Sequence, residues 1–232
     1  MQITLDRAYA MRENWSLNAT GTFHEGVHLV SGDVGSGKST MAMMLAGFYS
    51  LSGGSIRRNG INSSVLSPQF PEHLVTGVTI SGECASWGII PDKILEETGL
   101  ETKKDESPFT LSRGELKRLH LACILAKDYD LLMVDEPFSS LDCKEKAKFC
   151  ERIGNRTHGI TIIFTHEQNI LPRVDRIWEI VDGTLIDCGN PPDAFLNWRH
   201  LPPTIKRLTD LGSRPDNISF NDLREAECRI RG

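Results

Sequence analysis

The run GDVGSGKST, Gly32 to Thr40, fits G-x-x-x-x-G-K-[ST], with Gly32, Gly37, Lys38 and Ser39 at the fixed positions. The chemistry of such a run is holding phosphates. Its glycines let backbone N–H groups converge on phosphate oxygens, and a helix N-terminus behind them adds positive potential. The candidate cradle therefore comprises Gly32, Asp33, Val34, Gly35, Ser36, Gly37, Lys38, Ser39 and Thr40. Lys38 is suited to reach the β- and γ-phosphates, and Ser39 offers a hydroxyl to Mg²⁺.

A second chemical pair closes the run LLMVDEP, where Asp135 and Glu136 follow continuous apolar residues. Ligands of open α/β sheets bind at the carboxyl ends of strands. Asp135 would orient Mg²⁺ through water, and Glu136 is free to polarise an attacking water as general base. Adjacent carboxylates also suit a solvated loop entrance, and the phosphate loop upstream favours the chemical reading. A third stretch, PFTLSRGELKR from Pro108 to Arg118, reads as a helix start, with Ser112 and Glu115 spaced as a capping box.

These residues need elements to hold them. ITLDRAYA, WSLNAT and GVHLV read as strands, the last leading into the phosphate loop. Ser39–Phe48 reads as a helix with Gly47 near its end, and SGGSIRRNG as turn. Short helices are expected near Ile80–Trp87 and Asp92–Thr98, and the longest near Ser112–Lys127. DLLMVDEP and GITIIFTH suit strands buried on both faces of a parallel sheet. RIWEIVDGTLIDCG reads as a hairpin turning at Asp182-Gly183. The last forty or so residues read as an irregular, partly helical tail. Strands alternating with helices give an α/β core.

The ordered set of phosphate loop, Gln69, the Ser112 stretch, Asp135-Glu136, SSLD and Thr165-His166 resembles the ATP-binding subunit of ABC transporters. The resemblance implies a P-loop NTPase (RecA-like) α/β core with a mostly parallel sheet, an antiparallel β part and a small α-helical subdomain. It divides the chain into an ATP-binding core (1–66 and 119–190), a helical subdomain (67–118) and a C-terminal extension (191–232). Gln69 would touch the Mg²⁺ and its water. Leu111, Ser112, Gly114 and Glu115 match the family signature, which cradles the γ-phosphate of ATP held by another subunit. Ser140, Leu141 and Asp142 match the loop that crosses between subunits. His166 would contact the γ-phosphate and hold the water in line. Tyr9 is the candidate for stacking on adenine, with Trp15 as the alternative and otherwise a core residue.

Two residues depart from the family signature. Arg113 replaces its first glycine and either points outward or adds positive charge near ATP. Glu115 replaces glutamine and adds negative charge there. Lys38, Asp135, Glu136 and His166 are retained, so ATP hydrolysis is expected. SPQFPEHLVTGVTI and the tail LPPTIKRLTDLGSRPDNISFNDL resemble energy-coupling-factor and cobalt-type ATPases, which serve importers of vitamins or transition-metal ions. The short span from Gln69 to Ser112 implies a trimmed helical subdomain. In that architecture the single phosphate loop and single signature lie on opposite sides of the protomer, so the resemblance implies that two chains, identical or related, pair head-to-tail around ATP, which a two-fold axis closes. Phe70, Pro71, Leu74 and Val75 either offer a groove for a transmembrane partner's coupling helix or pack the helical subdomain internally.

Composition bounds the alternatives. The 232 residues are 39% hydrophobic and 25% charged, with net charge −5, which argues against a nucleic-acid partner. No apolar run is long enough to span a bilayer and no signal peptide is visible; the resemblance implies a peripheral place on the cytoplasmic face of the membrane. The six cysteines Cys84, Cys123, Cys143, Cys150, Cys188 and Cys228 contain no C-x-x-C pair and read as reduced thiols, not as a zinc site. His24, His28, His73, His120, His158 and His200 lack partners at ligand spacing. Met41, Met43 and Met44 read as packing behind the phosphate loop. A soluble ABC-type ATPase lacks support, because there is no heptad run and no second ATPase half. A P-loop kinase or GTPase leaves the signature and His166 unexplained. A nucleotide-dependent regulator without turnover stays open.

Overall fold

The computed structural model describes residues 1–12 and 15–231. Among them, nine strands join in one mixed sheet. These are β1 (Gln2–Arg12), β2 (Trp15–His24), β3 (Gly26–Ser31), β4 (Gly53–Asn59), β5 (Ser64–Ser67), β6 (Leu131–Asp135), β7 (Ile160–Phe164), β8 (Arg176–Val181) and β9 (Thr184–Gly189). Their order across the sheet is β4-β1-β2-β9-β8-β3-β7-β6-β5. The half from β8 to β5 is parallel, and β6 and β7 are buried at every residue, as continuous apolar runs require. The antiparallel part is β4-β1-β2 together with the β8–β9 hairpin. That hairpin turns at Asp182 and Gly183, both left-handed (φ 49 and 70), as an Asp-Gly turn does.

The sequence reading of SGGSIRRNG as turn is corrected. It is β4, an edge strand on β1, where glycine and arginine are tolerated because, among the described residues, its other side pairs with no strand. β5 is likewise a strand that the polar letters around it conceal.

The helices are α1 (Lys38–Ala46), α2 (Ile80–Ser86), α3 (Pro91–Thr98), α4 (Arg113–Leu125), α5 (Cys143–Gly154), α6 (Pro203–Asp210) and α7 (Phe220–Arg231). One sheet face packs Met41, Met44 and Leu45 of α1 against Met133, Ile162 and Phe164, so Met41 and Met44 sit behind the phosphate loop while Met43 is only half-buried. The other face carries Leu121 and Ile124 of α4, Phe149 and Ile153 of α5, and Trp198 and Ile205 of the tail. Helices α2, α3 and α4 form a core of their own around Ile80, Ile94, Leu116 and Leu119. The boundary drawn at 118/119 falls inside α4, which runs unbroken from that core onto the sheet. Among the described residues, no helix is long and apolar enough to cross a membrane.

Candidate active site

Strand β3 ends at Ser31 and the phosphate loop begins. Gly37 (φ 109) precedes α1 with no side chain capping it, so free N–H groups of the helix start are left for a ligand. Only glycine fits there, because a Cβ would lie 2.4 Å from the Trp15 ring. Lys38 is buried, and its ammonium donates to the carbonyls of Gly32 at 2.8 Å and Asp33 at 2.9 Å. Glu136 Oε1 lies 3.9 Å from the same nitrogen. Burial lowers the Lys38 pKa against the attraction of Glu136, Asp135 and Asp33.

β6 delivers Asp135 and Glu136. Burial raises the Asp135 carboxyl above its usual range, although Ser39 hydrogen-bonds to it. Asp135 Oδ1 is buried and has no hydrogen-bond partner. An orphaned carboxylate oxygen beside a hydroxyl is a hard oxygen set, so Ser39 and Asp135 fit Mg²⁺. Glu136 turns out of the strand in the left-handed region (φ 45), a costly backbone that aims its side chain. Thr165 donates its hydroxyl to Glu136 Oε2 at 2.9 Å. The His166 backbone N–H donates to Oε1 at 3.1 Å, and His166 Nδ1 lies 2.7 Å from that oxygen.

A cavity of about 410 Å³ stands over these groups, lined by Trp15, Val34, Gly35, Gly37, Lys38, Ser39, Thr40, Gln69, Glu136 and His166. Gln69 is held by a residue that the sequence reading passed over. Lys117, buried on α4, donates to the Gln69 carbonyl at 3.0 Å and to that of Pro68 at 3.4 Å. Its only signal was a lysine on the apolar side of a helical pattern.

Tyr9 is not brought to this cavity. It lies within β1 opposite Asn18 and Gly53, its hydroxyl turned to Met11 Sδ at 2.8 Å. Trp15, the alternative, lines the cavity and also packs on the core. The hairpin places the first residue of β2, not the middle of β1, beside the loop.

The signature lines none of this cavity. Ser112 caps α4 in a full capping box: its hydroxyl accepts from Glu115 N–H at 3.3 Å, and its own N–H donates to Glu115 Oε2 at 2.9 Å. The Glu115 carboxyl is held down at about 2, first by the Lys103 ammonium at 2.7 Å and then by Ser112. Lys103 thus offsets the charge that Glu115 adds. Leu111 is buried, Arg113 is exposed, and a Cβ on Gly114 would meet the Ser140 carbonyl at 2.7 Å. Ser140 is left-handed (φ 66), Leu141 packs on the core, and Asp142 caps α5 by accepting from Glu145 N–H at 2.9 Å.

Of the four groove residues, Phe70 and Leu74 are exposed, Pro71 is buried, and Val75 packs on the helical core.

Known proteins resemble this chain in the same terms. A family model described as "ABC transporter" matches residues 18–139. The energy-coupling factor transporter ATP-binding protein EcfA1 of Thermotoga maritima is 32% identical over 189 residues, covering 71% of each chain. EcfA2 of Lacticaseibacillus paracasei, of the same description, is 26% identical over 250 residues, covering 90% of this chain and 86% of its own. The solved structure of CbiO1 from Clostridium perfringens, part of the ABC transporter complex CbiONQ, superposes with TM-score 0.63 at 23% identity, covering 84% of this chain and 90% of that one.

Proposed function

The chain belongs to the ABC transporter family and is an ATPase, and from that premise we propose that it powers a membrane importer of a vitamin or a transition-metal ion. The likeness to energy-coupling factor transporter proteins supports the transporter role, and the two stretches that resemble energy-coupling-factor and cobalt-type ATPases support importer and cargo class. In this reading the chain sits on the cytoplasmic face of the membrane, held by transmembrane subunits that Phe70 and Leu74 help to dock. It works as a pair of chains, with each signature completing the other's ATP site.

The observation that carries the catalytic reading is Glu136, buried, strained at its backbone and held by Thr165 and His166 at the edge of the phosphate-loop cavity. Glu136 takes the proton of the attacking water, and His166 orients that water against the γ-phosphate. Lys38 leaves the Gly32 and Asp33 carbonyls for the β- and γ-phosphates. Ser39 and Asp135, with Gln69 beside them, would hold Mg²⁺. When bound, the ion neutralises charge that develops on the phosphate oxygens.

Phosphate release from Mg-ATP tests the reading. Turnover is expected from the purified chain or its assembled complex, abolished by EDTA and restored by excess magnesium. Binding of ATP with no release in either preparation would make the chain a regulator instead.

The base contact has its own test. Trp15→Ala should raise the KM for ATP by about fivefold or more, since aromatic–base stacking is worth roughly 1–3 kcal/mol. Trp15→Phe should retain most of the affinity, and Tyr9→Ala should leave KM near wild type. The opposite ranking would return the stacking role to Tyr9.

A further inference from the structure

The C-terminal extension reaches back to the entrance of the phosphate loop through consecutive residues. Trp198 donates its indole N–H to Ser31 Oγ at 2.7 Å, and that hydroxyl donates to the Trp178 carbonyl at 3.2 Å. The backbone N–H groups of Arg199 and His200 donate to the two carboxylate oxygens of Glu179, at 3.1 and 2.8 Å. The His200 ring then lies between two acids. Its Nδ1 is 2.5 Å from Glu179 Oε1, and its Nε2 is 2.9 Å from Asp33 Oδ1.

Ser31 and Asp33 flank Gly32, so the extension grips the loop on both sides of its first glycine. A neutral imidazole has one N–H, and its other nitrogen would turn a lone pair toward a carboxylate. Only the imidazolium donates from both nitrogens. The bridge is therefore a cation between a buried acid of β8 and an exposed acid of the loop.

We propose that His200 is a positioning residue for the phosphate loop: by bridging Glu179 to Asp33 it fixes the loop entrance and offsets the Asp33 charge beside the bound triphosphate. Nucleotide affinity then depends on the docking of the C-terminal extension. The inference rests on reading the loop as the ATP site.

Lys38 attracts Asp33, and His166 and Glu167 line the same small cavity as Asp33 and His200, so these groups face the bridge as well. Arg199 lies 3.9 Å from Asp182, and burial together with Glu179 and Asp187 pushes the Cys188 thiol up to about 12, so it stays neutral. Burial opposes charge on His200, but the hydrogen bonds and attraction of Glu179 and Asp33 outweigh it and raise its pKa. A raised folded value means that the bridge is complete below the ordinary histidine range. It is lost as pH climbs through the raised value.

The test is equilibrium binding of the non-hydrolysable Mg-AMP-PNP to the full chain, from slightly acidic to mildly alkaline pH. Wild-type affinity should weaken with rising pH. His200→Gln should bind about two- to fivefold more weakly at low pH, as suits a half-exposed ion pair, and should lose most of that slope. Asp33→Asn should flatten the slope by itself, and in that background His200→Gln should cost nothing further. A purely structural His200 would weaken binding equally in both backgrounds, and that additivity would overturn the proposal. So would an unchanged slope in His200→Gln. Should circular dichroism show His200→Gln unfolded, a persisting slope in Asp33→Asn overturns it alone. Wild type that fails to bind Mg-AMP-PNP at all would instead defeat the reading of the site.

Discussion

Replacing Glu136 with glutamine is expected to give a chain that still binds ATP, hydrolyses it on the order of a hundredfold to ten-thousandfold more slowly, and elutes at twice the monomer mass in Mg-ATP. The rate falls because an amide cannot take the water's proton. The fold should survive, because the replaced group keeps its partners. A glutamine oxygen can still accept from Thr165 or from the His166 N–H, and the Thr165 hydroxyl can rotate to accept from the amide. Dimerisation follows from where the signature sits. Ser112 and Gly114 line none of the phosphate-loop cavity, so in the proposed pair they meet only a partner's nucleotide. ATP then belongs to the interface, and a chain that cannot cleave it stays clamped. Size-exclusion chromatography in Mg-ATP is the measurement. A variant that binds ATP yet remains wholly monomeric would overturn the homodimer and leave pairing with a different ATPase chain.

Lys38→Ala is expected to weaken ATP binding by about a hundredfold or more, the scale of losing one charged contact to a transferring phosphoryl group in a buried site. Two losses combine. The phosphates lose their main counter-charge. Glu136 also loses the cation 3.9 Å away, and Asp135 keeps only Lys117 of the two lysines that face it, so the field of these buried carboxylates repels the incoming triphosphate more strongly. Lys38 is now spent on the Gly32 and Asp33 carbonyls, and its removal leaves those to water at the cavity mouth. ATP titration by equilibrium binding measures the two losses together, and steady-state phosphate release measures the loss of turnover. Retained hydrolysis near the wild-type rate would sink the role given to Lys38.

The residues of the phosphate loop, Asp135 and Glu136 were legible because their chemistry is carried by contiguous letters. So was the α4 cap, since a capping box spans four residues. What the sequence concealed depends on contacts between distant segments. Tyr9 and Trp15 are both aromatic residues near one hairpin, and only the register of β1 on β2 decides which one faces the loop. Lys117 was a charged letter on the apolar side of a helical pattern, and only the packing of α4 against the Pro68–Gln69 carbonyls gives it a partner. His200 had no partner at ligand spacing because its partners, Glu179 and Asp33, come from elements far away in the chain. Strand β4 was hidden for a different reason. An edge strand need not be apolar, so hydrophobic patterning carries little of its signal.

The two positions after Ser112 answer to different masters. Gly114 is fixed by the chain's own fold, because any side chain would strike the Ser140 carbonyl. Arg113 is exposed and, among the described residues, meets no such contact, so in the proposed pair it is free to face the partner's nucleotide. In the proposed pair, each chain would then carry one position that its own fold fixes next to one that recognition could set. Matched changes at position 113 could sort closely related chains into preferred pairs while leaving each monomer intact.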